Sequence, residues 1–101
     1  MKKFSEKNTA RKNIAGKEIK LLRINAGLSQ GELARALTTA TGCVMSRDTI
    51  SRIENGTRFV FDYELLSFAQ YFNASLSELV DSLENYNGMS AQSNLEMTGN
   101  N

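Results

Sequence analysis

The chain has 101 residues, 41% of them hydrophobic and 23% charged, the size and balance of one globular domain with tails. It has no histidine, one cysteine (Cys43) and no apolar run long enough to span a membrane; this excludes a disulfide framework, a zinc constellation and histidine-activated nucleophiles, and leads us to expect a soluble, cytoplasmic protein that is not an enzyme and needs no cofactor. The net charge of +1 conceals a division: twelve bases against five acids up to Arg58 (+7), then six acids and no base from Phe59 onward (−6), which points the first half toward a polyanion.

Residues 1–12, "MKKFSEKNTARK", are basic and polar and read as a mobile arm. Residues 13–85 read as the domain. A first helix is predicted from about Asn13 to Ala26, with Ile19, Leu22 and Ala26 on one face and Gly27 ending it. Ser29 and Glu32 in "SQGE" form a capping box that opens a second helix carrying Leu33, Ala34 and Leu37. The stretch "TTATGCVM" follows. Its threonines and Gly42 disfavour continued helix, although one further turn ending at Gly42 is the alternative. Val44, the aliphatic residue of this loop, is expected to plug the core, and Cys43 reads as a small semi-buried residue.

The third helix spans "SRDTISRIEN", Ser46 to Asn55, capped by Ser46 and stopped at Gly56. Ile50 and Ile53 form a narrow apolar stripe, and the opposite side offers Arg47, Asp48, Ser51 and Arg52. "TRFVF" leads to Asp62, the expected cap of a fourth helix that ends near Phe72 with Leu65, Leu66, Ala69 and Phe72 inward. A short strand is possible only at Phe59 to Phe61. A second capping box, Ser75 with Glu78, opens a fifth helix with Leu76, Leu79, Val80 and Leu83. Residues 86–101, rich in Asn, Ser and Gly, read as a disordered tail. The fold class is therefore all-α.

Two short helices, the second capped and polar outward, suggest a helix-turn-helix. "GLSQGELARAL" and "SRDTISRIENG" together resemble the phage-repressor-like (Cro-like or Xre) helix-turn-helix family. The matching residues are Leu28, Ser29, Gln30, Leu33, Ala34, Leu37, Ser46, Ile50, Ser51, Ile53, Glu54 and Gly56. "DYELLSFAQYFNASLSELV" is similar to the family's closing helices, so the resemblance covers about residues 14 to 83. One departure stands out. Eight residues, Thr38 to Met45, separate Leu37 from the cap serine, where the family usually has a short turn.

The resemblance implies a compact five-helix, lambda-repressor-like domain that binds double-stranded DNA as a transcriptional regulator, a repressor. It places the third helix in the major groove. Physical chemistry agrees, because the groove admits one helix and its base edges carry distinct donor and acceptor patterns. Arg47 and Arg52 would grip guanine, Asp48 would accept from cytosine, and Ser51 lies beside them; Thr49 either touches a thymine methyl or faces inward. Gln30, Ser46, Asn55, Thr57 and Arg58 would contact phosphates, with Lys2, Lys3, Lys7, Arg11 and Lys12 adding non-specific attraction. In the family, the positions matching Arg23 and Glu54 pair between helices one and three. The resemblance further implies a homodimer on a palindromic site, for which Phe61, Tyr71, Leu83 and Tyr86 are candidate contacts. No membrane or small-molecule ligand is expected. The competing reading is a protein-interaction module on the same fold, such as an antitoxin or adaptor, using the acidic second half.

Overall fold

The computed structural model describes residues 11–80. The expected arm up to residue 10, the last part of helix five with Leu83, and the tail with Tyr86 lie outside the described residues. Five helices follow one another: α1 (Gly16–Asn25), α2 (Gln30–Thr41), α3 (Arg47–Asn55), α4 (Asp62–Phe72) and α5 (Leu76–Leu79). There is no strand among the described residues, including Phe59 to Phe61. α3 packs on α1 and α2, α2 packs on α4, and α5 closes against α4 and α1.

The helix starts show why this sequence folds locally. Ser29 Oγ accepts the Glu32 amide at 3.0 Å, and Glu32 Oε1 accepts the Ser29 amide at 2.8 Å. Ser75 and Glu78 repeat the exchange at the start of α5. Each box satisfies two amides that a helix start otherwise leaves without partners. α1 begins three residues later than its apolar spacing suggests. The Asn13 side chain stands ahead of it, with Oδ1 accepting the amides of Ala15 and Gly16 at 3.0 and 2.6 Å.

Asp62 is not the cap of α4. The chain is extended at Phe61, and the Phe61 amide donates to Glu64 Oε1 at 2.9 Å. Asp62 therefore sits one residue inside the helix. A carboxylate there still meets the positive end of the helix dipole.

α2 runs through Thr41, because its threonines satisfy themselves on the helix. Thr41 Oγ1 donates to Leu37 O at 2.8 Å, and Thr38 Oγ1 reaches Ala34 O at 2.9 Å. Gly42 then turns the chain with φ +80°, a conformation costly for a residue with a Cβ. After the turn, burial alternates. Cys43 packs against the core, Val44 is 82% exposed and Met45 is buried. Val44 is thus not the plug. The Thr41 hydroxyl holds the Cys43 amide at 3.1 Å and Thr38 reaches the Cys43 carbonyl at 3.2 Å. These bonds fix the phase that sends Met45 inward and Val44 out.

The core consists of Ile19, Leu33, Leu37, Ile50, Ile53, Phe68 and Leu79, all fully buried, with Ala15, Ala34, Met45 and Ala69 around them. On α4, Phe68 takes the central position, while Leu66, expected inward, is half exposed. The apolar run "LLSFA" admits more than one helical phase. The phase that buries the larger ring also buries Glu64, which has its own partner in Arg58.

Candidate nucleic-acid interface

α3 is two-sided. Ile50, Ile53 and Glu54 are buried; Arg47, Asp48, Arg52 and Asn55 are exposed; Thr49 and Ser51 lie at the boundary. Its start is ordered by Ser46, whose Oγ accepts the Thr49 amide at 3.1 Å and lies 3.1 Å from Thr49 Oγ1. Ser46 and Thr49 therefore bond each other at the leading edge of the helix.

The exposed residues are arranged in two groups. Arg52 Nε lies 3.0 Å from Asp48 Oδ2, one turn apart on the helix, with both side chains about two-thirds exposed. Arg47 lies across the first turn of α2: its Cδ stands 3.9 Å from the place where a side chain on Gly31 would begin, and Arg35 Nη1 stands 3.8 Å from it. Arg35 thus adds a third arginine beside this face. Nothing in the apolar spacing of α2 marks it, since it lies on the exposed side of a helix recognised by its buried one.

The inner side of α3 is bonded to both helices beneath it. Arg23 Nε donates to Glu54 Oε2 at 2.7 Å, Arg23 Nη2 to Glu54 Oε1 at 3.0 Å, and Gln30 Nε2 to the same Oε1 at 3.0 Å. Arg23 Nη1 donates to Leu28 O at 2.8 Å. The Glu54 side chain is 1% exposed. The hydrogen bond to Glu54 raises the Arg23 pKa above its ordinary value despite desolvation, so the guanidinium keeps its charge at all working pH. One carboxylate joins α1, α2 and α3. Gln30 spends one amide hydrogen on that node and is half-buried.

The C-terminal end of α3 is held as well. Asn13 Nδ2 donates to Ile53 O at 3.0 Å and to Arg58 O at 2.9 Å. The Lys12 amide donates to Gly56 O at 2.8 Å, and Arg11 Nη2 to Glu54 O at 3.3 Å. The Arg11 side chain crosses directly over Gly56, where an added Cβ would stand 2.6 Å from its Cζ. Arg11 and Lys12, assigned from sequence to the arm, are thus bound to the domain. Sequence reasoning missed this clasp, because its partners are main-chain carbonyls more than forty residues away.

Asn55, the last residue of α3, and Thr57 in the loop beyond are exposed, and Thr57 Oγ1 donates to Arg52 O at 3.3 Å. Arg58 grips Glu64 through Nη1 and Nη2 at 2.8 and 3.1 Å, donates to Phe59 O at 2.9 Å, and lies 5.3 Å from the Phe61 ring. Its two terminal nitrogens are turned toward a buried acid, and the hydrogen bond to Glu64 raises its pKa. Among the described residues no helix is long and apolar enough to cross a membrane, and no cluster of metal-ligating side chains occurs.

A search of curated proteins and one of solved structures found no match to this chain. The family model described as a helix-turn-helix domain matches residues 14–83, a span that takes in α1 through α5 and both ends of the α2–α3 pair. On that match and this geometry, the chain belongs to the helix-turn-helix domain family.

Proposed function

We propose that the protein is a sequence-specific DNA-binding transcriptional regulator, acting as a repressor, that reads the major groove with α3. The observation that carries this reading is the division of α3. Its inner side is bonded to α1 and α2 through Glu54, while Arg47 and Arg52 stand free of the core on the other side.

In this reading Arg47, Asp48, Thr49, Ser51 and Arg52 face the bases. Ser46, Gln30, Asn55 and Thr57 meet the flanking phosphates, with Arg35 beside Arg47 adding positive charge. Arg58 serves by holding the loop through Glu64, and its remaining edge faces the backbone. The regulator acts as a homodimer on a palindromic duplex, with half-sites about 34–36 Å apart. Phe61, Tyr63 and Leu66, at least half exposed on and before the first turns of α4, supply apolar contact area. Tyr71 is half-buried against Phe72 and contributes less.

The same exposed residues favour a second reading, a module that binds another protein as an antitoxin or adaptor does. Selection from a pool of random duplexes, followed by binding across a salt series, separates the two. A regulator yields a two-fold symmetric site and an affinity that falls linearly with salt on logarithmic axes, with a slope near 0.9 per neutralised phosphate. Failure to enrich any sequence would remove the regulator reading.

A further inference from the structure

We propose that Asp48 is a positioning residue for Arg52 and not itself a reader of cytosine. The proposal rests on the reading of α3 as the recognition helix and specifies how its face works. Asp48 Oδ2 takes the Nε side of the guanidinium at 3.0 Å. Among the described residues the Arg52 side chain has no other ion pair and makes no hydrogen bond. The edge formed by Nη1 and Nη2 is therefore the one left to present, and a bidentate grip on guanine O6 and N7 needs two such parallel donors.

The pairing also accounts for an acid on this surface. A lone carboxylate facing a duplex would be repelled by the phosphates, whereas one engaged by Arg52 is neutralised and fixes a long side chain that would otherwise sample many rotamers. Arg47 is the contrast within the same helix. It has no carboxylate partner among the described residues, and its stem rests against α2 at Gly31. Residues one apart on a helix do not face each other, so Asp48 braces Arg52 and leaves Arg47 alone.

The test is site selection and competitive binding with the full chain and the variants Asp48→Ala, Asp48→Asn, Arg52→Ala and Arg47→Ala. The two arginine variants identify which base pair each arginine reads. Asp48→Ala is expected to lower guanine preference at the Arg52 position by about 2- to 5-fold, the size of an exposed ion pair. It should leave the Arg47 position unchanged and strengthen binding to unrelated duplex, since one negative charge leaves the surface. Asp48→Asn should lose the preference as Asp48→Ala does, because the contact is an ion pair and the amide carries no charge. Weakening of the helix alone would relax preference at the Arg47 and Arg52 positions together, whereas loss of the brace relaxes only the second. An Asp48→Ala variant that keeps its Arg52-dependent guanine, whether or not it relaxes preference at a cytosine, overturns the proposal. A wild-type chain that selects no sequence overturns both the brace and the reading beneath it.

Discussion

Glu54→Ala is the substitution that most directly tests how α3 is held. It removes a carboxylate that is 1% exposed and accepts three hydrogen bonds, two from Arg23 and one from Gln30. Gln30 is half-buried and can turn toward water. Arg23 cannot do so readily, because its side chain is 12% exposed and Nη1 stays tied to Leu28 O. The variant therefore leaves a largely buried cation with one neutral acceptor. Breaking a buried pair from one side costs about 3–5 kcal/mol, and a core of this size supplies roughly the same. At about 4–8 °C per kcal/mol for a domain of 60–100 residues, the melting midpoint should fall by more than about 12 °C, leaving little folded protein at 37 °C. Circular dichroism during heating and urea unfolding measure both quantities. Replacing both partners with apolar residues, Arg23→Met with Glu54→Leu, should restore most of the stability, since nothing charged then remains buried. A single variant that loses under about 1 kcal/mol would show that the pair is dispensable and that α3 is seated by its isoleucines and its other anchors.

Three further outcomes are expected from the same scaffold. Met45→Ala should cost about 2–5 kcal/mol as a core truncation, while Val44→Ser, at an exposed position, should stay within about 0.5 kcal/mol; urea midpoints of the two variants compare them directly. Gly56→Ala should destabilise by at least about 1 kcal/mol, because φ is +79° and the new methyl would meet the Arg11 side chain. Removing Arg11 in the same chain should relieve only the steric part. The Ser29 amide and hydroxyl hold the Glu32 carboxyl below its ordinary pKa. Its contribution is therefore present above the unfolded value and is lost as pH falls through the lower folded value. An NMR titration should show Glu32 titrating below a model glutamate, and Ser29→Ala should move it upward.

Much of this architecture was legible in the chain because it is written in local chemistry. The capping boxes at Ser29 and Ser75, the cap at Ser46 and the stops at Gly27 and Gly56 act over four residues, and each helix lies within a few residues of where those signals put it. What escaped was of two kinds. One was phase in short apolar runs: "LLSFA" admits rotations that bury Leu66 or Phe68, and only packing against α2 and α5 chooses between them. The loop after α2 has the same ambiguity, settled by two threonine hydroxyls in favour of Met45 over Val44. The other was long-range polar contact. Arg11 read as part of the arm and Asn13 as the start of the first helix, yet both bind carbonyls at the end of α3, and no periodicity encodes a side chain whose partner is a peptide group. Within the candidate site, the outward direction of Arg47 and Arg52 followed from the isoleucine spacing. The Asp48–Arg52 pair did not follow from it, because i,i+4 spacing permits an ion pair without requiring one.

The distribution of these contacts bears on how so short a helix can recognise anything. A nine-residue helix is well below the length at which helices persist alone in water, so the rigidity of α3 comes from its surroundings. Ser46 holds its first turn, Glu54 ties its underside to α1 and α2, and Arg11, Lys12 and Asn13 donate to the carbonyls at its far end. Ordering a flexible segment at the moment of binding subtracts from affinity, by about 0.5–1.5 kcal/mol for each immobilised long side chain and more for backbone. Here the backbone is ordered by folding, and the side chains on the exposed face are partly ordered too: Arg47 by contact with α2, Arg52 by Asp48. In the proposed reading, specificity then depends on few degrees of freedom. A variant that loosens any one of the three anchors should reduce discrimination between sequences even where the residues of the reading face are untouched.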